Sequence, residues 1–143
     1  MVRRPAFAVI FLVAALLFAG CAEMQATGAT NVLVQLLTGQ LGVTADQAMG
    51  GVGSILSLTK EKLPKMDFAT LTKFIPGADT FLKTAKDLGA VVGPIGDQTG
   101  LTAAFSRLGM GSDMVGKFTQ VLSDFVGKAG GETAKNLLAA GLK

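Results

Sequence analysis

The sequence contains no histidine, tryptophan or tyrosine, and its only cysteine is Cys21. One cysteine cannot form a disulfide within a single chain, so disulfides cannot stabilise this fold. Without histidine, and with one cysteine, the chain cannot build the usual structural zinc sites or use a histidine as a general base. We therefore predict that the protein binds no metal and no cofactor and is not an enzyme.

The charge is small and evenly distributed. The net charge of +3 comes from 13 basic and 10 acidic residues, and without Arg3 and Arg4 only 11 basic residues remain. No basic stripe follows one face of any predicted helix, and all nine aromatic residues are phenylalanine. A nucleic-acid-binding protein usually shows a clustered basic patch. We therefore predict that the protein does not bind nucleic acid.

The N-terminus has the features of an export signal. Arg3 and Arg4 precede an apolar run over residues 6–18, and the small residues Ala19 and Gly20 follow it. These residues, ending at Cys21, resemble the lipobox of bacterial lipoproteins. The resemblance implies that Cys21 is lipidated and becomes the first residue of the mature protein, which would leave no free thiol for nucleophilic catalysis.

Two alternatives to lipidation stay open. The first is an ordinary secretory signal that is cleaved a residue or so later, with Cys21 incidental. The second is an uncleaved transmembrane helix, although residues 6–20 are fewer than the roughly 20 apolar residues that a span needs. Position 22 is Ala, whereas an Asp at this position would resemble an inner-membrane retention signal. We interpret the N-terminal segment as the anchor of a bacterial envelope protein that is attached by lipid to the outer membrane and faces the periplasm.

Beyond the signal, the pattern predicts an all-α protein. Residues 1–20 are assigned to a signal peptide of the lipoprotein type, residues 21–30 to a small, polar tether, and residues 31–143 to one helical domain. Short amphipathic segments, broken by Gly and Pro, recur along this domain, and no long stretch alternates with period two. We predict a single small multi-helical domain of short, Gly-rich amphipathic helices.

Local signals predict where the helices begin and end. Asn31 is expected to cap the first helix, and Thr44 with Gln47 forms a capping box for the second, which Pro64 ends. Glycine is expected to stop helices at Gly89 and at Gly130–Gly131. The longest loop is predicted over residues 89–99. Four carboxylates stand at predicted helix starts and are interpreted as caps: Asp46, Asp67, Asp79 and Asp113. Asp97 has no such explanation.

Three glycines, Gly50, Gly51 and Gly53, lie inside the second predicted helix, where each costs about 1 kcal/mol relative to Ala. A phosphate-binding loop is excluded, because no strand precedes the cluster and no Lys-Ser or Lys-Thr follows it. The favoured interpretation is close packing against a neighbour such as Phe118 or Phe125, and the alternative is a local kink.

Two segments of the chain are alike. Residues 41–46 (LGVTAD) and residues 108–113 (LGMGSD) both join the end of one helix to the start of the next. They could be a duplicated helix–turn–helix unit. The favoured interpretation is that Leu-Gly, an apolar residue and a cap are a common way to join two helices.

The ordered set of small motifs is similar to a known family. The set consists of the 41–48 junction, the glycine cluster at 50–53, Phe74-Ile75-Pro76-Gly77 and the predicted helix over 109–125. Together these motifs resemble bacterial envelope proteins of the VcgC/VcgE family of unknown function. More loosely, they resemble the YidB-like all-helical proteins. The resemblance covers roughly residues 30–142. It implies an all-α fold and brings no catalytic residues.

These observations predict a lipid-anchored envelope protein with a non-enzymatic interaction or structural role. Its predicted partners are the membrane, through the lipid on Cys21, and an envelope protein. The alternative is a periplasmic carrier that holds a lipid or another apolar ligand between loosely packed helices.

Overall fold

The structure is a computed structural model, and it describes residues 28–143. Within that range the chain forms six α-helices and no strand, as one small all-α domain. The predicted fold class is confirmed. The helices are α1 (Gly28–Leu41), α2 (Ala45–Lys62), α3 (Lys65–Thr72), α4 (Ala78–Asp87), α5 (Gln98–Arg107) and α6 (Ser112–Gly141).

Helix α2 is the centre of the domain, since it packs against each of the five other described helices. Its residues 50–59 are all buried, so α2 has no solvent-facing side over three turns. The amphipathic pattern predicted for the helices would leave one face of α2 in solvent. The reason for the difference is that the remaining positions are filled by Gly, Ser and Thr, which are small enough for neighbouring helices to cover them.

The glycine cluster allows this close approach, as predicted. A Cβ atom at Gly51 would lie 2.8 Å from Cδ1 of Phe118, and one at Gly50 would lie 2.7 Å from the side chain of Leu108. A Cβ at Gly53 would overlap the backbone carbonyl of Phe81 on α4. Each glycine therefore admits a different neighbouring element.

Several predicted helix boundaries are confirmed. Thr44 and Gln47 form the capping box, since the Thr44 hydroxyl accepts from the Gln47 N–H at 3.1 Å and the Gln47 side chain accepts from the Thr44 N–H at 3.1 Å. Gly89 has a φ of +74° just after α4, where glycine is favoured. Gly131 has non-helical angles and bends α6, as the predicted break requires.

Other boundaries differ from the prediction. Helix α1 begins at Gly28, so Asn31 lies inside the helix and is not its cap. Burial of Leu33 and Leu37 fixes this helix, and its first turn extends beyond the predicted start. Helix α3 begins at Lys65, two residues before the predicted cap Asp67, and it ends at Thr72, where the chain tightens into turns with i→i+3 hydrogen bonds.

The acidic residues are placed differently from the prediction. The predicted caps Asp46, Asp67, Asp79 and Asp113 each lie in the first turn of a helix, and none of them is the N-cap residue. A carboxylate there still stabilises the helix through its macrodipole. Asp97, which had no predicted role, is the N-cap of α5, and its Oδ1 accepts from the Gly100 N–H at 2.8 Å.

Candidate functional site

The longest connection between described helices is the α4–α5 loop, residues 88–97, and both of its ends are fixed. At the first end, the N–H groups of Ala90 and Val91 donate to the carbonyl of Ala85 at 3.0 and 3.1 Å. Nη1 of Arg107, on α5, donates to the Ala90 carbonyl at 3.2 Å. The loop was predicted over 89–99, and its last two predicted residues belong to α5.

The middle of this loop projects an apolar side chain into solvent. Val92 is 75% exposed, whereas Val91 and Ile95 on either side are only 7% and 5% exposed. Gly93 and Pro94 between them are also exposed. We call residues Val92, Gly93 and Pro94 the Val92 ridge. Since its flanking side chains are held in the core, the ridge has a defined position on the surface.

A cleft lies on each side of the Val92 ridge, and the ridge residues line both. The larger cleft, of about 410 Å³, is formed with α2 and α4, and the smaller one, of about 190 Å³, is formed with α5. Beyond the loop, the larger cleft is lined by Ser57, Lys60, Glu61, Leu82 and Lys86. The smaller cleft is lined on the α5 side by Gly100, Ala103 and Arg107.

The charged side chains around the ridge are mainly cations. Lys60 and Lys86 line the larger cleft and Arg107 lines the smaller one, whereas Glu61 is the acidic residue in either lining. Within residues 28–143, none of these three cations forms an ion pair. Lys60 and Lys86 are therefore available to an external anion, as are the N–H groups of Arg107 that do not bind the Ala90 carbonyl.

The ion pairs of the described residues lie elsewhere. Lys83 contacts Asp87 at 2.7 Å along α4, and Lys117 contacts Asp113 at 3.4 Å along α6. The hydrogen bond that Lys83 donates to Asp87, followed by the negative charge of Asp87, raises the pKa of Lys83 above its ordinary value. Both side chains of this pair are largely exposed, so its contribution to stability is small.

The polar groups near the larger cleft are used by the fold. The Ser57 hydroxyl donates to the Gly53 carbonyl at 2.9 Å, within α2. Every buried side-chain nitrogen or oxygen in residues 28–143 has a hydrogen-bond partner. The same part of the chain contains no group of three or more carboxylates, cysteines or histidines placed to hold a metal ion. The clefts therefore offer apolar contact and positive charge.

The one predicted site residue, Cys21, lies outside the described residues, as do the predicted signal peptide and most of the predicted tether. In residues 28–143, no helix is both long and apolar enough to cross a membrane. The sequence predicts the loop but does not predict the Val92 ridge. The sequence does contain a signal for the ridge. The apolar pair Val91-Val92 lies in a segment with no helical period and is followed directly by Gly-Pro.

The family described as protein of unknown function VcgC/VcgE (DUF2780) matches residues 19–143, and the chain belongs to this family. The predicted family is thus confirmed, whereas the looser similarity to YidB-like proteins stays a prediction. No curated protein and no solved structure matches the chain.

Proposed function

We propose that this protein is anchored by a lipid on Cys21 and has a non-enzymatic interaction role at the bacterial envelope, with the Val92 ridge as its contact surface. The N-terminal motif supports the anchor, and Ala22 supports the periplasmic face of the outer membrane as its location. The observation that carries the interaction role is the 75% exposure of Val92 on a loop that the buried side chains of Val91 and Ile95 hold in the core.

Several features make this surface suitable for binding. A single exposed valine is common on protein surfaces and by itself indicates nothing. Here the valine stands on a loop that hydrogen bonds hold at Ala90 and Val91, so little conformational entropy is lost when a partner binds. Clefts on both sides of the ridge add area to the contact.

Photo-crosslinking in intact cells tests the proposal. A photoreactive amino acid in place of Val92 should give a crosslinked product with an envelope protein or lipid, identified by mass. Met66 is the matched control position, because it is apolar and 80% exposed but lines neither cleft. Equal labelling at positions 92 and 66, or no product at 92, would contradict the proposed contact surface.

A second candidate function is a periplasmic carrier of an apolar ligand. The observation in its favour is the larger cleft, where Leu82, Val91 and Ile95 could contact an acyl chain and Lys60 and Lys86 could pair with an acidic head group. Ligand sites usually bury most of the ligand. Organic extraction of the purified protein, with mass analysis, tests this function. A stoichiometric lipid that is lost in Val91→Glu would support the carrier.

A further inference from the structure

We infer that the Val92 ridge docks onto an anionic lipid surface, with Val92 at the level of the lipid head groups and Lys60, Lys86 and Arg107 beside the phosphates. This inference deepens the proposed function, because the lipid on Cys21 is what would hold the domain close to that surface. It names a membrane as the partner of the ridge.

The charges around the ridge match such a surface. Three cations without an ion pair and one carboxylate, Glu61, line the two clefts beside an exposed apolar side chain. Cations near an anionic leaflet are attracted to it, and lysine and arginine can lay their alkyl stems along an apolar surface while their charged ends contact phosphate. The apolar centre and the cationic border therefore both favour an anionic lipid surface as the partner.

The position of the predicted anchor is compatible with this contact. Helix α1 packs against α2, the helix that carries Lys60. Six residues separate Cys21 from Gly28, the first residue of α1, so seven Cα–Cα steps join them. They can span no more than about 25 Å, which keeps this end of the domain near the membrane.

The size of the ridge favours a lipid surface over a protein. A standard protein interface buries about 800 Å² on each partner, with several large side chains at its centre. The ridge exposes one such side chain, Val92. An anchored domain needs only a weak second contact, because the anchor raises its effective concentration at the membrane. A small ridge with a cationic border is sufficient for that purpose.

The test is co-sedimentation of the unlipidated chain with vesicles. The chain from residue 21 onward carries Cys21→Ser and contains the whole described core, so the result does not depend on lipidation. It should partition onto vesicles that contain phosphatidylglycerol, and much less onto vesicles of phosphatidylcholine alone. Replacing Lys60→Gln and Lys86→Gln together should lower the partition about 25-fold, about five-fold for each cation removed.

The matched control is Lys117→Gln with Lys128→Gln, which changes the net charge equally on α6, away from both clefts. This variant should partition like the unaltered chain. Val92→Asp should also lose partition, and its helical circular dichroism should be unchanged.

Equal partition of the ridge and control variants, or no preference for phosphatidylglycerol, would overturn the inference. A protein crosslinked from position 92 in cells, with no lipid product, would overturn it as well while leaving the proposed interaction role in place. Absence of lipid from Cys21 would contradict the anchor instead, and the vesicle result would then stand by itself.

Discussion

The side chain of Gln47 joins the similar junctions 41–46 and 108–113, because its Nε2 donates to the carbonyl of Leu108 at 3.0 Å. Its Oε1 accepts from the Thr44 N–H in the same conformation. One amide therefore closes the capping box of α2 and satisfies a carbonyl at the end of α5. The two junctions are in contact, whether or not they arose by duplication.

Gln47→Ala should lower the free energy of unfolding by about 1–2 kcal/mol, since it removes one cap hydrogen bond and one long-range hydrogen bond. Gln47→Glu should cost less, because a carboxylate can still accept from the Thr44 N–H although it cannot donate to Leu108. Gln35→Ala on the exposed side of α1 is the control and should change little. Urea denaturation measures all three. A Gln47→Ala variant as stable as the control would show that neither bond matters.

Gly51→Leu should destabilise the domain, because the added side chain would overlap the Phe118 ring in the core. Overpacking of this kind costs about 1–3 kcal/mol or more. Gly53→Ala should be costly too, since the backbone carbonyl of Phe81 cannot rotate away. The control is Gly116→Ala on α6, where nothing lies within 4 Å and helix propensity alone should stabilise by up to about 1 kcal/mol.

The predicted changes in the free energy of unfolding have opposite signs, so a comparison of these glycine variants is decisive. In thermal or urea melts of the four proteins, Gly116→Ala should be more stable than the unaltered chain. The Gly51 and Gly53 variants should be less stable than the unaltered chain. If Gly51→Leu melts higher than the unaltered chain, the cluster has no packing role.

Asp97→Ala should destabilise α5 and lower the free energy of unfolding by about 1 kcal/mol, because the Gly100 N–H loses its acceptor. Asp97→Asn should retain most of the stability, since asparagine caps about as well as aspartate. Asp124→Ala, at an exposed position within α6, is the control and should be nearly neutral. Similar losses in the Asn and Ala variants would mean that charge, and not capping, is the role of Asp97.

Local signals in the sequence predicted much of the fold. Capping and chain-breaking residues act within a few positions, so the Thr44–Gln47 box, the Pro64 stop and the bend at Gly131 could be inferred without a structure. The helical period likewise indicated the fold class.

Features that depend on distant parts of the chain were not predictable in the same way. Complete burial of α2 requires that the neighbouring helices cover its small residues, which no local pattern records. The Val92 ridge depends on α5, because Arg107 fixes the loop from 17 positions away. Asp97 was missed because the start of α5 was expected later in the chain.

Cys21→Ser should abolish acylation and release the protein from the membrane fraction, since no other residue in the predicted lipobox can accept the diacylglyceryl group. Fractionation of cells that express either form measures this effect. A Cys21→Ser protein that stays in the membrane fraction would mean that another part of the chain holds it there. Cys21→Ala should behave as Cys21→Ser does, because both remove the thiol.

The most direct test of the anchor, on which the proposed envelope role depends, is the mass of the N-terminal peptide of the protein purified from membranes. We expect a peptide that begins at residue 21 and carries a diacylglyceryl group on the cysteine, because several acyl chains are needed for stable anchoring. A peptide that begins at another residue, or one without acyl mass, would contradict it.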